Sequence, residues 1–235
     1  MFNSKVFVAE LIGTFALTFI GAGAGVAGAG LVGVALAHGF VLAVFAYVYG
    51  HISGTHVNPA VTFGLAINGT ITWGQAAVYW IAQFLGALLA AFLLKTFTPG
   101  GDISGGATVG SLTHSAPLLA WGVEIVLTFF LLNTILHAAV AGKAGPFAGW
   151  AIGTTLAFAI LAGGPLTGAS LNPARTFGPA LFTGALTDPY TYLIYLLGPL
   201  IGATLAVIVF QFLNSAEQEA AASKSAPKKP ASRRK

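Results

Sequence analysis

Six apolar runs constrain this chain more than any other feature. They lie at about Val6–Val26, Leu31–Tyr49, Trp73–Lys95, Leu118–Val140, Phe147–Leu161 and Pro189–Phe212. A bilayer core about 30 Å thick takes roughly 20 apolar residues of helix to cross. Five runs meet that length, and the fifth falls short of it, so its ends are the least defined. Charged residues make up only 7% of the 235, whereas a soluble domain carries about 25% to solvate its surface. Lipid is therefore the solvent over most of the molecule. The first run continues from Val6 past Ile20 without a small-residue cleavage site, so it reads as a span and not as a cleaved signal.

The ten Lys and Arg outnumber the six Asp and Glu, but the excess does not point to nucleic acid. Lys224, Lys228, Lys229, Arg233, Arg234 and Lys235 crowd into a Ser/Ala/Pro-rich end with no apolar period. Residues 216–235 are expected to form a disordered cytoplasmic tail. Without cysteine there is no disulfide, thiol nucleophile or Cys-ligated metal. Constellations for nucleophilic, metal or carboxylate-pair catalysis are lacking too. The expectation is a membrane protein that is not an enzyme and needs no cofactor.

The chain repeats itself. Ile52 to Gly64 lies over Leu166 to Gly178, bringing Asn58-Pro59-Ala60 onto Asn172-Pro173-Ala174 at an offset of 114. The lone acids of the first and fourth runs, Glu10 and Glu124, share that offset of 114. Three spans per half is an odd number, so the second half crosses in the opposite sense and the repeat is inverted. Both termini then share one side, which the tail charges assign to the cytoplasm. Lys5 and Lys143 agree with that side, while Lys95 is an exception.

Each Asn-Pro-Ala opens an apolar segment, Val57–Ile67 or Leu171–Phe182, too short to span. Asn is a favoured N-cap and Pro a favoured first helical residue, so each triplet starts a half-helix. In an inverted repeat the two meet N-terminus to N-terminus near the midplane, each bringing about half a positive charge. Interrupted segments at matching places in two halves mark a channel or transporter site. The side-chain amides of Asn58 and Asn172 can donate to a passing oxygen.

These motifs resemble the aquaporin (major intrinsic protein) family. So do Ala9 to Phe15, His51 to Gly64, Ala82 to Gly86, Thr167 to Ala180 and Gly198 to Gly202. The resemblance implies an all-α membrane fold of six helices and two half-helices over residues 1–215, with halves about 5–97 and 117–213. It also implies one pore per protomer and a homotetramer. It gives Glu10 and Glu124 a structural part, accepting backbone N–H groups of the Asn-Pro-Ala loops, in place of a proton relay. His56 is expected to fix its own loop.

Arg175 stands out on physical grounds, because an Arg within an apolar segment is costly unless it faces water or partners. By the resemblance it belongs to a four-residue constriction with His38, Ile160 and Ala169. That set resembles plant tonoplast intrinsic proteins, some of which also pass ammonia or urea. Ile160 in place of a polar residue leaves one wall apolar. His114, in the connection Phe97–Pro117, is a candidate for the outer mouth, while His51 and His137 have no assigned role.

Passive water conduction, with ammonia or other small neutral solutes admitted, is the leading function. The alternative is a glycerol or urea facilitator. Against it, glycerol-preferring members usually carry Asp after the filter Arg, where this chain has Thr176; for it, Tyr195-Leu196 replaces the usual aromatic pair. An ion-driven transporter would need an unpaired midplane charge, and a junction protein could use only the outer connection. The plasma membrane is the expected location, with the vacuolar membrane the lesser candidate.

Overall fold

The computed structural model describes residues 3–225, and side chains through residue 215. Among the described residues there is no strand, and six helical stretches are long and apolar enough to cross a membrane. In order the helices are α1 (Ser4–Val26), α2 (Gly30–Ser53), half-helix α3 (Pro59–Ile67), α4 (Trp73–Phe97), the short α5 (Ser111–Ser115), α6 (Pro117–Ile135), α7 (Ala148–Thr167), half-helix α8 (Pro173–Thr183), α9 (Pro189–Tyr192) and α10 (Gly198–Ser225). A π-helical turn, Leu136–Val140, extends α6, and another, Leu193–Leu197, joins α9 to α10 into the sixth span. The α10 helix covers the first ten residues of the expected tail, and 226–235 lie outside the described residues.

The fifth span corrects the sequence expectation. It runs from Gly145 to Thr167 rather than ending at Leu161. Gly163, Gly164 and Pro165 read as breakers, yet the helix passes through them. Pro165 sits in the last turn and forfeits a single intrahelical bond, which neighbouring helices in a membrane bundle can tolerate. The two glycines have a packing reason. Leu127 occupies the space that a Gly163 side chain would need, and Leu31 lies 2.7 Å from where a Gly164 side chain would begin.

The pairing of helices follows the repeat. α1 packs on α4 as α6 packs on α10, and α1 on α2 as α6 on α7. Each half-helix crosses over: α3 lies against α10, and α8 against α4. At the pseudo-twofold axis α2 meets α7 through Gly39 and Gly153, themselves 114 apart. A Cβ on Gly39 would fall 2.7 Å from the Gly153 carbonyl oxygen, and one on Gly153 would fall closer still to that of Gly39. Small residues at such crossings let backbones touch.

The repeat slips once. Gly86 fits against the carbonyl of Leu11, and Gly202 against that of Ile125. Leu11 and Ile125 keep the offset of 114, but Gly86 and Gly202 are 116 apart. Two extra residues therefore enter the second half before α10, in the stretch that holds the second π-helical turn.

Candidate pore

The two re-entrant loops are held in a backbone conformation that L-residues avoid. Thr55, Val57, Ala169 and Leu171 have φ of 51°, 44°, 44° and 55°. This left-handed region costs a β-branched or bulky residue of order 1–3 kcal/mol. The two pairs are again 114 apart, so the strain repeats with the fold.

Two fully buried carboxylates hold the loops in this shape. Glu10 Oε1 accepts from Ser53 Oγ (2.7 Å) and His56 N (2.9 Å), and Oε2 from Val57 N (2.7 Å) and Gln83 Nε2 (2.8 Å). Glu124 Oε1 accepts from Thr167 Oγ1 (2.7 Å) and Ser170 N (2.9 Å), and Oε2 from Leu171 N (2.8 Å). Charge-assisted bonds of this kind are about twice as strong as neutral ones. The second nest has no counterpart of Gln83, because at the slipped offset Pro199 stands in its place. Two tyrosines at the same slipped offset brace the ends of α2 and α7. Tyr79 Oη donates to the Ser53 carbonyl and Tyr195 Oη to that of Thr167, both at 2.7 Å.

With the loops so held, Asn58 and Asn172 are the N-caps of α3 and α8. Asn58 Oδ1 accepts from Ala60 N at 2.8 Å, and Asn172 Oδ1 from Arg175 N at 3.2 Å. Each amide then reaches across to the opposite loop. Asn58 Nδ2 donates to the Leu171 carbonyl and Asn172 Nδ2 to the Val57 carbonyl, both at 2.8 Å. An amide nitrogen has two hydrogens, so one N–H per Asn is spent on the fold and one remains.

A narrow internal cavity of about 50 Å³ runs past both Asn residues. His56 and Thr55 line it toward the α2 end, Val61, Leu131, Ile152 and Leu156 along the apolar wall, and His38 and Arg175 toward the other face. His56 lines this cavity as well as bonding Thr62 Oγ1 through Nδ1 at 3.1 Å.

Arg175 and His38 are bonded to one another. Nδ1 of His38 donates to the Val34 carbonyl (2.9 Å), which leaves Nε2 to accept from Arg175 Nε (3.2 Å). The imidazole is thereby fixed as the neutral Nδ1–H tautomer. Arg175 Nη1 donates to the Gly106 carbonyl at 2.9 Å. Two of the five guanidinium N–H groups are thus engaged, and three are left. Ile160 and Ala169, the other two residues of the expected constriction, pack in the apolar core around the cavity. Each is 2% exposed, with Ala169 Cβ beside Gly163 and Ile160 Cγ2 beside Gly164.

Several contributors leave no signal in the sequence. Gly106 acts through its carbonyl. Thr108 Oγ1 donates to Thr176 Oγ1 at 2.9 Å, and Thr176 also bonds Ser170, so the residue after Arg175 ties the outer connection to the loop. Tyr79 and Tyr195 repeat at 116, outside the offset of 114 that relates the motifs. His114 stands apart from the pore, 3.3 Å from Asp188 through Nδ1.

The family model described as Major intrinsic protein matches residues 1–210. The chain belongs to this family. Among its relatives, a probable aquaporin TIP1-2 from Oryza sativa subsp. japonica is 41% identical over 228 residues, covering 90% of this chain and 87% of the relative. Aquaporin TIP2-1 from Arabidopsis thaliana is 39% identical over 229 residues, covering 91% and 89%. Aquaporin Z from Bradyrhizobium diazoefficiens is 40% identical over 227 residues, covering 90% and 94%. The solved aquaglyceroporin from Plasmodium falciparum superposes with a TM-score of 0.79 over 92% of this chain and 99% of its own. At 24% identity that likeness speaks for the fold alone. As a major intrinsic protein the chain is an integral membrane channel and not an enzyme.

Proposed function

We propose that this channel conducts water through the cavity between the two half-helices, together with ammonia or other small neutral solutes, and that it excludes ions and protons. One observation carries the reading. One cavity is lined by both Asn residues, which cap the N-termini of α3 and α8, and by Arg175. A cation there meets two helix-dipole ends and a guanidinium, with no carboxylate among the described residues of the wall to compensate. A neutral oxygen meets donors. Aquaporin-type selectivity rests on pore diameter, on the donors lining the pore, and on barriers such as an Arg or the positive ends of half-helices.

His38 and Arg175 form the polar side of the gate in this reading, with Ile160 and Ala169 completing it as apolar neighbours. Glu10, Glu124 and His56 support the loops. The mostly apolar wall, the neutral imidazole of His38 and the lack of a second cation among the described residues of the gate favour entry of weakly hydrated neutral solutes beside water.

Each chain is proposed to hold its own pore within a homotetramer, as the family resemblance implies. The cell membrane is the proposed location, with both termini in the cytoplasm. Aquaporin Z from a bacterium is as similar to the chain as the TIP relatives, so similarity does not single out the vacuolar type. Finding the protein in a vacuolar membrane fraction would overturn that placement.

Stopped-flow light scattering on proteoliposomes tests the function. Osmotic shrinkage should be several-fold faster than in empty vesicles, with no proton leak under a pH gradient. Shrinkage at the empty-vesicle rate would sink the proposal.

A further inference from the structure

A second cavity, of about 210 Å³, opens beside the pore on the face that carries the 98–116 connection. It lies behind α8, between the connection and the start of the sixth span. Besides Asp188 and His114 its polar side chains are six hydroxyls, and the hydrogens of at least five are already spent on the protein. Thr108 donates to Thr176 Oγ1 (2.9 Å) and Tyr195 to the Thr167 carbonyl (2.7 Å). With the Tyr195 hydrogen so used, the 2.9 Å contact between Thr113 Oγ1 and Tyr195 Oη has Thr113 as donor. Thr183 donates to the Pro179 carbonyl (3.2 Å), and Thr191 to that of Ala185 (2.8 Å). What these groups still offer to the cavity is lone pairs.

Two further features make the site electronegative. Thr183 and Gly184 bring the C-terminal end of α8, whose last carbonyls lack helical partners and carry the negative pole of the helix. Asp188 supplies a carboxylate, three-quarters buried, that accepts from Tyr190 N at 2.9 Å. Among the described residues no Lys or Arg lines the cavity. The basic side chain on its rim is His114, itself two-thirds exposed and so free to be displaced from Asp188.

From this arrangement we propose that the cavity behind α8 is a binding site for a small organic ammonium ion, its N–H groups donating to Asp188 and the threonine oxygens. One half-helix would thus serve opposite ends. Its N-terminus faces the pore and turns cations away, and its C-terminus faces a separate pocket that accepts them. A primary ammonium has three donors for these acceptors, while a quaternary ammonium of equal charge has none. Steric room at the wall comes from Ala180 and Ala185.

Isothermal titration of the full chain in lipid nanodiscs with ethanolammonium chloride tests this, against choline chloride and sodium chloride at equal ionic strength. Ethanolammonium should bind saturably, and at least ten-fold more tightly than choline. Asp188→Asn keeps the α9 cap but removes the charge, and should weaken binding ten-fold or more while leaving osmotic water flux within two-fold. Ala180→Leu, which fills the cavity, should abolish binding. The proposal is overturned if the wild-type chain shows no saturable binding, if choline binds equally well, or if either variant binds like wild type. Should Asp188→Asn fail to fold, the choline comparison and Ala180→Leu still decide.

Discussion

Asn58 and Asn172, 114 residues apart, each cap a half-helix with one side-chain atom and lock the opposite loop with the other. The carbonyls they lock, on Val57 and Leu171, belong to residues held at positive φ. Neither loop can therefore relax without releasing the other. This mutual hold keeps the two helix N-termini facing one space, and it depends on Asn having a donor and an acceptor on the same short side chain.

Replacing Asn172 with Ala should show both losses. Removal of a helix cap costs about 1–2 kcal/mol, and leaving the buried Val57 carbonyl unpaired adds about 1–3 kcal/mol. A lower thermal midpoint in detergent, with osmotic water flux down several-fold, is the expected result. Asn172→Asp should retain the cap but set an acceptor oxygen against the buried Val57 carbonyl, and so also fall well below wild type. An Asp variant as stable as wild type would show that the cross-bond contributes nothing.

The two carboxylate nests should differ in sensitivity. Glu10 accepts four donors and Glu124 accepts three. A Gln side chain turns one acceptor oxygen into a donor. At position 10 that nitrogen would confront two donors, and at position 124 it could be placed against Leu171 N alone. Glu10→Gln should destabilise by about 1–3 kcal/mol more than Glu124→Gln, read as the difference in thermal midpoint between the variants. Equal midpoints would count against the role assigned to Gln83.

At the gate, His38→Phe removes the acceptor of Arg175 Nε and narrows the polar passage. Combined with Ile160→His it should suppress ammonia flux while leaving water flux close to wild type, measured on the same proteoliposomes. Unchanged ammonia flux would show that the selectivity is set elsewhere along the cavity.

Gly153→Ala tests the crossing of α2 and α7. Its new methyl would collide with the Gly39 carbonyl oxygen, forcing the helices apart at an overpacking cost of about 1–3 kcal/mol. Gly122→Ala, where a Cβ meets nothing within 4 Å, should be neutral or slightly stabilising. A neutral Gly153→Ala would mean that the helix pair can slide without loss.

Legibility in the sequence followed periodicity and composition. The six spans, the half-length segments and the offset of 114 are one-dimensional properties, set by bilayer thickness and by the duplication itself. The end of the fifth span escaped because Gly163, Gly164 and Pro165 break helices in water but not where packing against Leu127 and Leu31 replaces what they lose. Tyr79 and Tyr195 escaped because two inserted residues moved their spacing to 116, and a repeat at one fixed offset does not register a bulge.

Composition and repetition thus determined by themselves that the chain spans a membrane, that its halves are inverted and that Asn58 and Asn172 open two half-helices. The tertiary structure decided what those groups do to each other. In it one amide hydrogen of each Asn is spent across the axis, and His38 accepts from Arg175. Hydrogen bonds spanning 113 to 137 residues set these facts. Such bonds depend on the approach of helices in space, and no local pattern of residues encodes them.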